Sequence, residues 1–261
     1  MSEQKKVPSR LYKFESCKGR SLENLRNQSI YFGSPKTFND PYDCAMAPTF
    51  PPLSDEQTEA FRSALLRGPL NQDISNLFQA TPKDQLREHL TLGAQKAIND
   101  AAEMFLKFGI SCFSESNNDL LMWSHYGDKH RGFCLEFNTA YKPFDKVIKV
   151  NYSKEMPRMS ANFLLEIEGK DTELMSLCST KSKSWSYEKE WRVLHKSAET
   201  LYAYDPLCLT GIYFGSKISN ENIEIICKIL HQKNPHIHFW NGRRSLNEFK
   251  IEFEKFANTS F

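Results

Sequence analysis

The sequence predicts an α+β fold, in which a mixed, mainly antiparallel sheet forms the core and a helical insertion interrupts it. Short apolar segments of strand length, bounded by turn residues, recur along most of the chain. Residues 50–107 instead place apolar side chains at helical spacing. Aromatic residues make up 13% of the 261 residues, which favours a compact protein containing a sheet over a disordered one.

Strands are predicted where apolar side chains alternate or run continuously over four to eight residues. Residues 10–14 show the alternating pattern at the start of the chain, and the run at 109–113 has the continuous pattern of a buried strand. The predicted strands are residues 10–14, 30–33, 109–113, 132–137, 145–152, 191–195, 209–215, 236–240 and 249–254.

Helices are predicted where apolar residues recur three and four positions apart. Ser21 is the predicted N-cap of the first helix, and Thr81 with Pro82 matches a cap followed by proline at the first helical position. The predicted helices are residues 21–27, 55–66, 81–106, 120–126, 163–178 and 220–231. We therefore expect a single domain over residues 1–261, with residues 50–107 as a helical insertion within it.

The composition limits the possible classes of protein but says little about binding partners. The 34 basic and 32 acidic residues nearly balance, which neither indicates nor excludes a local basic patch for nucleic acid. The seven cysteines include no C-x-x-C pair, which favours reduced thiols. The N-terminus has no apolar segment of signal-peptide length, and no window approaches the roughly 20 apolar residues of a membrane span. We expect a cytoplasmic protein without a membrane partner.

Residues 110–137 concentrate most of the chemistry-bearing side chains. The pattern predicts a strand, a polar turn, a short helix, a second turn and a returning strand. Hydroxyls, imidazoles, a guanidinium and large aromatic rings then share one corner, which is typical of a cleft for a flat, polar, phosphate-bearing ligand. The side chains at this corner are Ser114, Ser116, Trp123, His125, Tyr126, His130 and Arg131.

A second cluster lies at residues 185–192. If a strand begins at Glu190, then Glu188 and Glu190 point to the same side and repel each other. One of them then needs a cation, a hydroxyl-bearing ligand or a raised pKa. Such a carboxylate can accept a hydrogen bond from a ribose hydroxyl or stabilise an oxocarbenium-like centre. The alternative is an exposed Glu-Lys-Glu turn in which Glu190 forms an ion pair with Arg192.

Three further groups leave alternatives open. Lys13, beside aromatic residues on the first strand, could hold a diphosphate or could simply face solvent. Asp40 and Asp43 could bind a metal, position a substrate or close an Asx-type turn. His125 and His130 are five residues apart and lack the i, i+4 spacing of a helical zinc site, so no metal is expected. No P-loop, G-x-G-x-x-G or G-x-S-x-G motif occurs.

Five blocks of the chain together resemble a widespread and largely uncharacterised bacterial domain family. The two middle blocks, with the sequences CFSE to GFCLEF and KSKSWSYEKEWR, carry the most specific part of the resemblance. The matching blocks are residues 11–14, 34–43, 112–137, 181–192 and 211–215.

The order of these parts also resembles, more distantly, the ADP-ribosyltransferase fold, which implies a split β-sandwich. In that fold a first strand carries a basic residue or His, a second strand ends in an aromatic–Ser motif, and a third begins with a catalytic Glu. This chain has lysine where many members have Arg or His. The resemblance places the three motifs at Tyr12 with Lys13, Phe113 with Ser114, and Glu188 with Glu190.

The resemblance implies a protein that binds NAD and transfers ADP-ribose to an unknown acceptor or hydrolyses NAD. Its role could be that of a toxin or a phage-defence effector. Glu190 would stabilise the cationic ribosyl centre, and Glu188 would orient the acceptor. The implied NAD-binding residues are Tyr12, Lys13, Ser114, Trp123, His125, Tyr126 and Arg131, with the aromatic ones stacking on nicotinamide and the cations neutralising diphosphate.

Two other classes of function remain open at this point. Aromatic residues together with the basic runs at residues 181–183 and 243–244 are also typical of a non-catalytic module that binds nucleic acid or protein. Asp40 and Asp43 with histidines would suit a metal-dependent nuclease.

Overall fold

A computed structural model describes residues 6–44, 50–69, 71–157, 170–231 and 233–256. The chain divides into two compact units. The first comprises Met1–Thr37, Phe108–Tyr152 and Lys183–Phe261, and the second comprises Phe38–Lys107 and Ser153–Ser182. The single-domain organisation over residues 1–261, with its insertion at 50–107, stays a prediction.

The first unit is built on an eight-stranded sheet. The strands of this unit are β1 (Arg10–Glu15), β2 (Ser29–Phe32), β3 (Gly109–Ser114), β4 (Phe133–Asn138), β5 (Ile148–Lys149), β8 (Glu190–His195), β9 (Thr200–Ala203), β10 (Leu209–Phe214), β11 (His238–Arg244) and β12 (Ile251–Lys255). The strand order in the large sheet is β12-β11-β10-β4-β1-β3-β8-β5, and β2 and β9 form a separate pair. Along the rest of the chain lie β6 (Asn151–Ser153) and β7 (Thr180–Ser182).

Every neighbouring pair in the large sheet is antiparallel except β10 and β11, which are parallel. The α+β class with a mixed, mainly antiparallel sheet is therefore confirmed. The helices of this unit are α1 (Gly19–Arg26), α5 (Leu120–His125) and α7 (Asn220–His231).

The two faces of the sheet bury different clusters of side chains. Leu11, Phe113 and Phe137 belong to the main core, which also takes up the apolar stripe of α7. Phe14 and Trp123 belong to a smaller cluster on the other face, under α5, which we call the Trp123 core. Adjacent residues of β1 thus serve opposite faces, because successive side chains of a strand alternate.

The second unit is helical in its larger part. Its helices are α2 (Asp55–Arg67), α3 (Gln72–Ala80), α4 (Lys83–Phe105) and α6 (Lys170–Ser179). Phe61, Ala94 and Ile98 form part of its buried core. A capping box at Ser54 fixes the start of α2, since Ser54 accepts from the backbone amide of Gln57 and the Gln57 side chain accepts from Ser54.

Most strand predictions agree with the structure to within a few residues. The single strand predicted at residues 145–152 is instead a 3₁₀ helix (Phe144–Lys146) followed by β5 and β6, and the pattern did not predict β7 or β9. The helix starts are less accurate. Lys18, rather than Ser21, precedes the first residue of α1, and α4 begins after Pro82 rather than at it. Helix α3 was not predicted. Residues 163–169 of the helix predicted at 163–178 lie outside the described residues.

None of the helices in the described part of the chain has the length and apolar character that crossing a bilayer requires. All seven cysteines are free thiols.

Candidate functional site

Four polar side chains form a transverse row across the middle of the large sheet. Glu136 on β4 lies opposite Tyr12 on β1, Tyr12 lies opposite Ser114 on β3, and Ser114 lies opposite Glu190 on β8. Directly opposed residues of antiparallel strands point to the same face. At the usual strand spacing the backbone positions at the two ends of this polar row are about 14 Å apart. Segments that are distant in sequence therefore meet on one face.

Glu190 is buried, with 4% of its surface exposed. The Arg192 guanidinium donates to both carboxylate oxygens, from Nε at 2.7 Å and from the second terminal nitrogen at 3.0 Å. This forked geometry is the strongest form of the pair. The Cys112 thiol also lies against this carboxylate, and burial raises its pKa well above the usual range, so that thiol is not a nucleophile.

Glu188 is also buried but belongs to a different local structure. It ends a 3₁₀ helix (Lys183–Glu188), and Lys189 has a φ of 46° in the left-handed region. The simple alternation predicted for Glu188 and Glu190 is therefore wrong, because the strand begins only after this turn. Tyr126 donates its hydroxyl to the Glu188 carboxylate at 2.6 Å. Ser114 donates to the Glu188 carbonyl at 2.7 Å, which fixes both glutamates beside Ser114.

Glu136, at the other end of the polar row, has a different set of partners. The hydroxyls of Thr210 and Tyr213 each donate to it at 2.7 Å. The half-exposed Arg10 lies at 3.2 Å, and the Tyr12 hydroxyl at 3.4 Å. Burial, followed by the charge of Glu136, raises the pKa of Tyr12 to about 12. Burial and the hydrogen bond to Glu136 raise the pKa of Tyr213 further.

Aromatic rings gather beside Glu188. His125 lies 6.2 Å from the ring of Tyr126, 6.2 Å from that of Trp185 and 6.3 Å from that of Tyr187, measured between centroids. Trp185 and Tyr187 are 6.0 Å apart. His125 is exposed and the other three rings are partly exposed. We call these four residues the aromatic group. It includes the predicted residues His125 and Tyr126.

Trp123 does not belong to this accessible surface. It is 0% exposed, packs edge-on against Phe14 and donates its indole N–H to the carbonyl of Asn117. The prediction that Trp123 stacks on a ligand is wrong, because α5 turns this side chain inward onto the sheet. Tyr126, three residues further along the chain, instead contacts the Glu188 carboxylate.

Lys13 lies on the opposite face of the sheet from Ser114 and Glu190. Its ammonium group donates to the Cys112 carbonyl at 3.3 Å and sits 5.3 Å from the Phe113 ring centroid, on the main-core side. The structure therefore does not bring Lys13 together with Glu190, because Tyr12 occupies the face that carries the polar row. The cation beside Glu190 is Arg192.

Arg131 lies in the loop between α5 and β4. It is exposed and forms a 3.4 Å ion pair with Asp128. Asp128 and two of its neighbours in this loop adopt the left-handed backbone conformation, with φ of 46° at Asp128.

The aspartates proposed for a metal site have structural partners. Asp40 accepts from the backbone amide of Tyr42 at 2.9 Å, as in an Asx turn. Asp43 forms a buried ion pair with Lys181 at 3.1 Å. Across the described ranges, no group of three or more His, Cys, Asp or Glu side chains could hold a metal ion.

Sequence reasoning did not identify Glu136 or Tyr213 as part of a site, whereas Trp185 and Tyr187 lie in the second predicted cluster, at residues 185–192. The signal for Glu136 was present, since it is a carboxylate inside the otherwise apolar run at residues 133–137. A charge at such a position must be compensated when the strand is buried. Tyr213 carried no comparable signal, because aromatic residues are common in any strand.

Comparisons with known proteins bear on part of this arrangement. The model of a family described as a protein of unknown function, DUF2971, matches residues 122–193. This range includes most of α5, all of β4 and the first four residues of β8, but not Tyr12 or Ser114. No curated protein and no solved structure matches the chain. Residues 122–193 are therefore similar to a family whose function is not described.

Proposed function

We propose that the protein is an ADP-ribosyltransferase-like enzyme that binds NAD and either transfers ADP-ribose to an acceptor or hydrolyses NAD. The observation that carries the proposal is the meeting of three separate segments at Ser114. This serine, on β3, lies between Tyr12 on β1 and Glu190 on β8, and it hydrogen-bonds to the backbone of Glu188. The proposal includes the split β-sandwich of that fold and a role as a toxin or phage-defence effector.

The reaction breaks the bond between ribosyl C1′ and the pyridinium nitrogen, and the bonding electron pair leaves with neutral nicotinamide. Glu190, paired with Arg192, accepts a hydrogen bond from a ribose hydroxyl and stabilises the positive charge at C1′. An acceptor oriented by Glu188 then bonds to C1′ and gives its proton to Glu188, or water bonds to C1′ and releases its proton to solvent. Ser114 fixes the backbone of Glu188, and Tyr126 orients its carboxylate.

The burial of both carboxylates has two consequences for this reaction. In a low-dielectric environment the charge of Glu190 acts strongly on a nearby cation. Substrate must also displace some of the side chains that shield Glu188 from solvent before it reaches this carboxylate. Tyr126, which donates to Glu188, is one of them. The partly exposed Tyr12 and the exposed His125 offer aromatic contacts for the nicotinamide end. Arg131 is the remaining predicted cation for the diphosphate, because Lys13 serves the other face.

The direct test is NAD consumption by the purified full chain, measured as nicotinamide released, with cell lysate added in one arm to supply an acceptor. We expect the wild type to release nicotinamide. Glu190→Gln removes the charge while keeping the shape, and we expect it to lower kcat by about 100-fold or more. Glu188→Gln should reduce transfer to the acceptor more than it reduces NAD hydrolysis.

Glu224→Gln is the matched control, because Glu224 is an exposed glutamate on α7 with only a 3.7 Å ion pair to Lys228. It should release nicotinamide at the wild-type rate. Thermal unfolding of each variant distinguishes a loss of catalytic activity from a loss of folded protein. The proposal is abandoned if the folded wild type consumes no NAD with or without lysate, or if folded Glu190→Gln is as active as the wild type.

A further inference from the structure

Three members of the aromatic group touch one another at the protein surface. The ring centroids of His125, Trp185 and Tyr187 are separated by 6.0 to 6.3 Å. Contacts of this length are typical of aromatic pairs. His125 is exposed, and the other two rings are partly exposed. A flat heteroaromatic ring can therefore stack on this group.

In the segment at residues 183–190, which carries Trp185 and Tyr187, the basic residues are exposed and the acidic residues are buried. Lys183 and Lys189, on the segment that carries Trp185 and Tyr187, are exposed. The acidic residues of the same segment are buried, with Glu188 bound by Tyr126 and Glu190 bound by Arg192. The solvent-facing charge of the segment is therefore positive, although its formal total is zero.

We propose that this surface binds single-stranded nucleic acid, with bases stacked on individual rings among His125, Trp185 and Tyr187, which are inclined to one another by 33° to 64°, and the phosphates held by Lys183 and Lys189. Aromatic platforms combined with cations are the usual arrangement for binding single strands. Because Tyr126 links the same rings to Glu188, the bound strand lies next to the residue that receives the acceptor's proton. The inference that the strand is the acceptor rests on the proposed function, whereas the binding itself does not.

The basic run at residues 181–183 contributes less than its sequence suggests. Lys181 is buried in an ion pair with Asp43, so Lys183 is the exposed member of the run. The relevant feature is thus not a run of lysines but an aromatic surface with exposed lysines beside it. A surface of this kind distinguishes a single strand, whose bases are accessible, from a duplex, whose bases are stacked on each other.

The test uses a fluorescein-labelled single-stranded DNA of mixed sequence, about 12 nucleotides long, and the full chain. Fluorescence anisotropy measures the affinity at about 50 mM and 200 mM salt. We expect saturable binding that weakens as salt rises, and weaker binding to the matching duplex. Trp185→Ala should weaken binding about tenfold, and Trp185→Phe, which keeps a ring, should restore most of the affinity.

Lys183→Ala should lower the slope of log affinity against log salt by about 1. Lys36→Ala is its matched control, since Lys36 is also an exposed lysine in a 3₁₀ helix of the same unit, and it should leave both affinity and slope unchanged. The inference is overturned by absence of binding at low salt, by equal affinity for duplex, or by a folded Trp185→Ala variant that binds like the wild type.

The outcomes separate this inference from the proposed function. Nicotinamide release without oligonucleotide binding contradicts the inference alone. Oligonucleotide binding without nicotinamide release leaves the binding surface intact and contradicts the enzyme. If both hold, mass spectrometry of the oligonucleotide after incubation with NAD should show added ADP-ribose, and an unmodified strand would show that it is not the acceptor.

Discussion

The two ends of the polar row compensate a buried carboxylate in different ways. Glu190 is held by both arms of a guanidinium, and the Arg192 side chain is 1% exposed. Glu136 is held mainly by hydroxyls, of Thr210, Tyr213 and Tyr12, with one half-exposed cation, Arg10. The same sheet thus contains an ion pair at one end and a carboxylate bound largely by neutral donors at the other.

The two carboxylates therefore affect their neighbours in different ways. At Glu190 the carboxylate is paired with Arg192, and removing either partner breaks this buried ion pair. At Glu136 the negative charge acts on its neighbours and raises the pKa of both tyrosines. Stability at the Glu190 end should therefore depend on one arginine, and at the Glu136 end on several weaker hydrogen bonds.

The largest expected effect is that of Arg192→Met. It leaves the Glu190 carboxylate buried without its cation, which should lower the free energy of unfolding by about 3–5 kcal/mol. Arg10→Met, at the other end of the polar row, removes a half-exposed cation and should cost only about 0–1 kcal/mol. Urea unfolding of the two variants measures the difference.

The double variant Arg192→Met with Glu190→Leu is the control for this comparison. Replacing both members of a buried pair by apolar residues should recover most of the stability lost in Arg192→Met. Equal losses for Arg192→Met and Arg10→Met would contradict the distinction between the two ends.

A smaller effect is expected for Glu136→Gln. The amide nitrogen of glutamine cannot accept from the hydroxyls that the carboxylate binds, so at least one buried donor loses its acceptor. We expect a loss of about 1–3 kcal/mol in the free energy of unfolding. Glu224→Gln, on the surface of α7, should change it by less than about 0.5 kcal/mol. A Glu136→Gln protein as stable as this control would show that the hydroxyl network contributes little.

The individual hydroxyls should differ from each other as their distances do. Tyr213→Phe removes a 2.7 Å hydrogen bond and should cost about 1 kcal/mol. Tyr12→Phe removes a contact of 3.4 Å and should cost less, since hydrogen bonds weaken with distance. Both variants keep the ring, so packing is unchanged. Thermal unfolding at neutral pH ranks them, and the reverse order would contradict the geometry.

The smallest effect is a pH dependence at Tyr12. Burial and the charge of Glu136 raise its pKa from 10.0 to about 12. The unfolded chain therefore releases this proton first as the pH rises. The stability due to the neutral phenol is present below pH 10 and is lost between pH 10 and about 12. The wild type should lose more stability than Tyr12→Phe between pH 9 and pH 11, measured as the shift in Tm, and parallel shifts would contradict this assignment.

Sequence patterns correctly predicted the helices and strands whose apolar periodicity lies within one short segment of the chain. Helix α7 begins and ends where its pattern predicts, and Ile223, Ile226, Cys227 and Leu230 are all buried. The strand predicted at residues 191–195 is β8, which begins one residue earlier, at Glu190. In both cases the burial pattern is repeated within one segment, so neighbouring residues carry enough information.

Predictions that depended on orientation were less reliable. Trp123 carries the same ring chemistry as Trp185, yet Trp123 is buried and Trp185 is partly exposed. Lys13 and Tyr12 are adjacent, yet they serve opposite faces. Which face of β1 carries the polar row depends on its register with β3 and β4, and residue type does not encode that register.

By itself, the sequence determined the α+β class and the positions of most strands, because strand and helix periodicities are properties of short stretches of chain. Only the tertiary structure decided that Glu136, Tyr12, Ser114 and Glu190 share one row, that Arg192 pairs with Glu190, and that the rings of the aromatic group are accessible whereas Trp123 is buried. These relations join residues up to 178 positions apart, from Tyr12 to Glu190, and strand pairing and packing establish them.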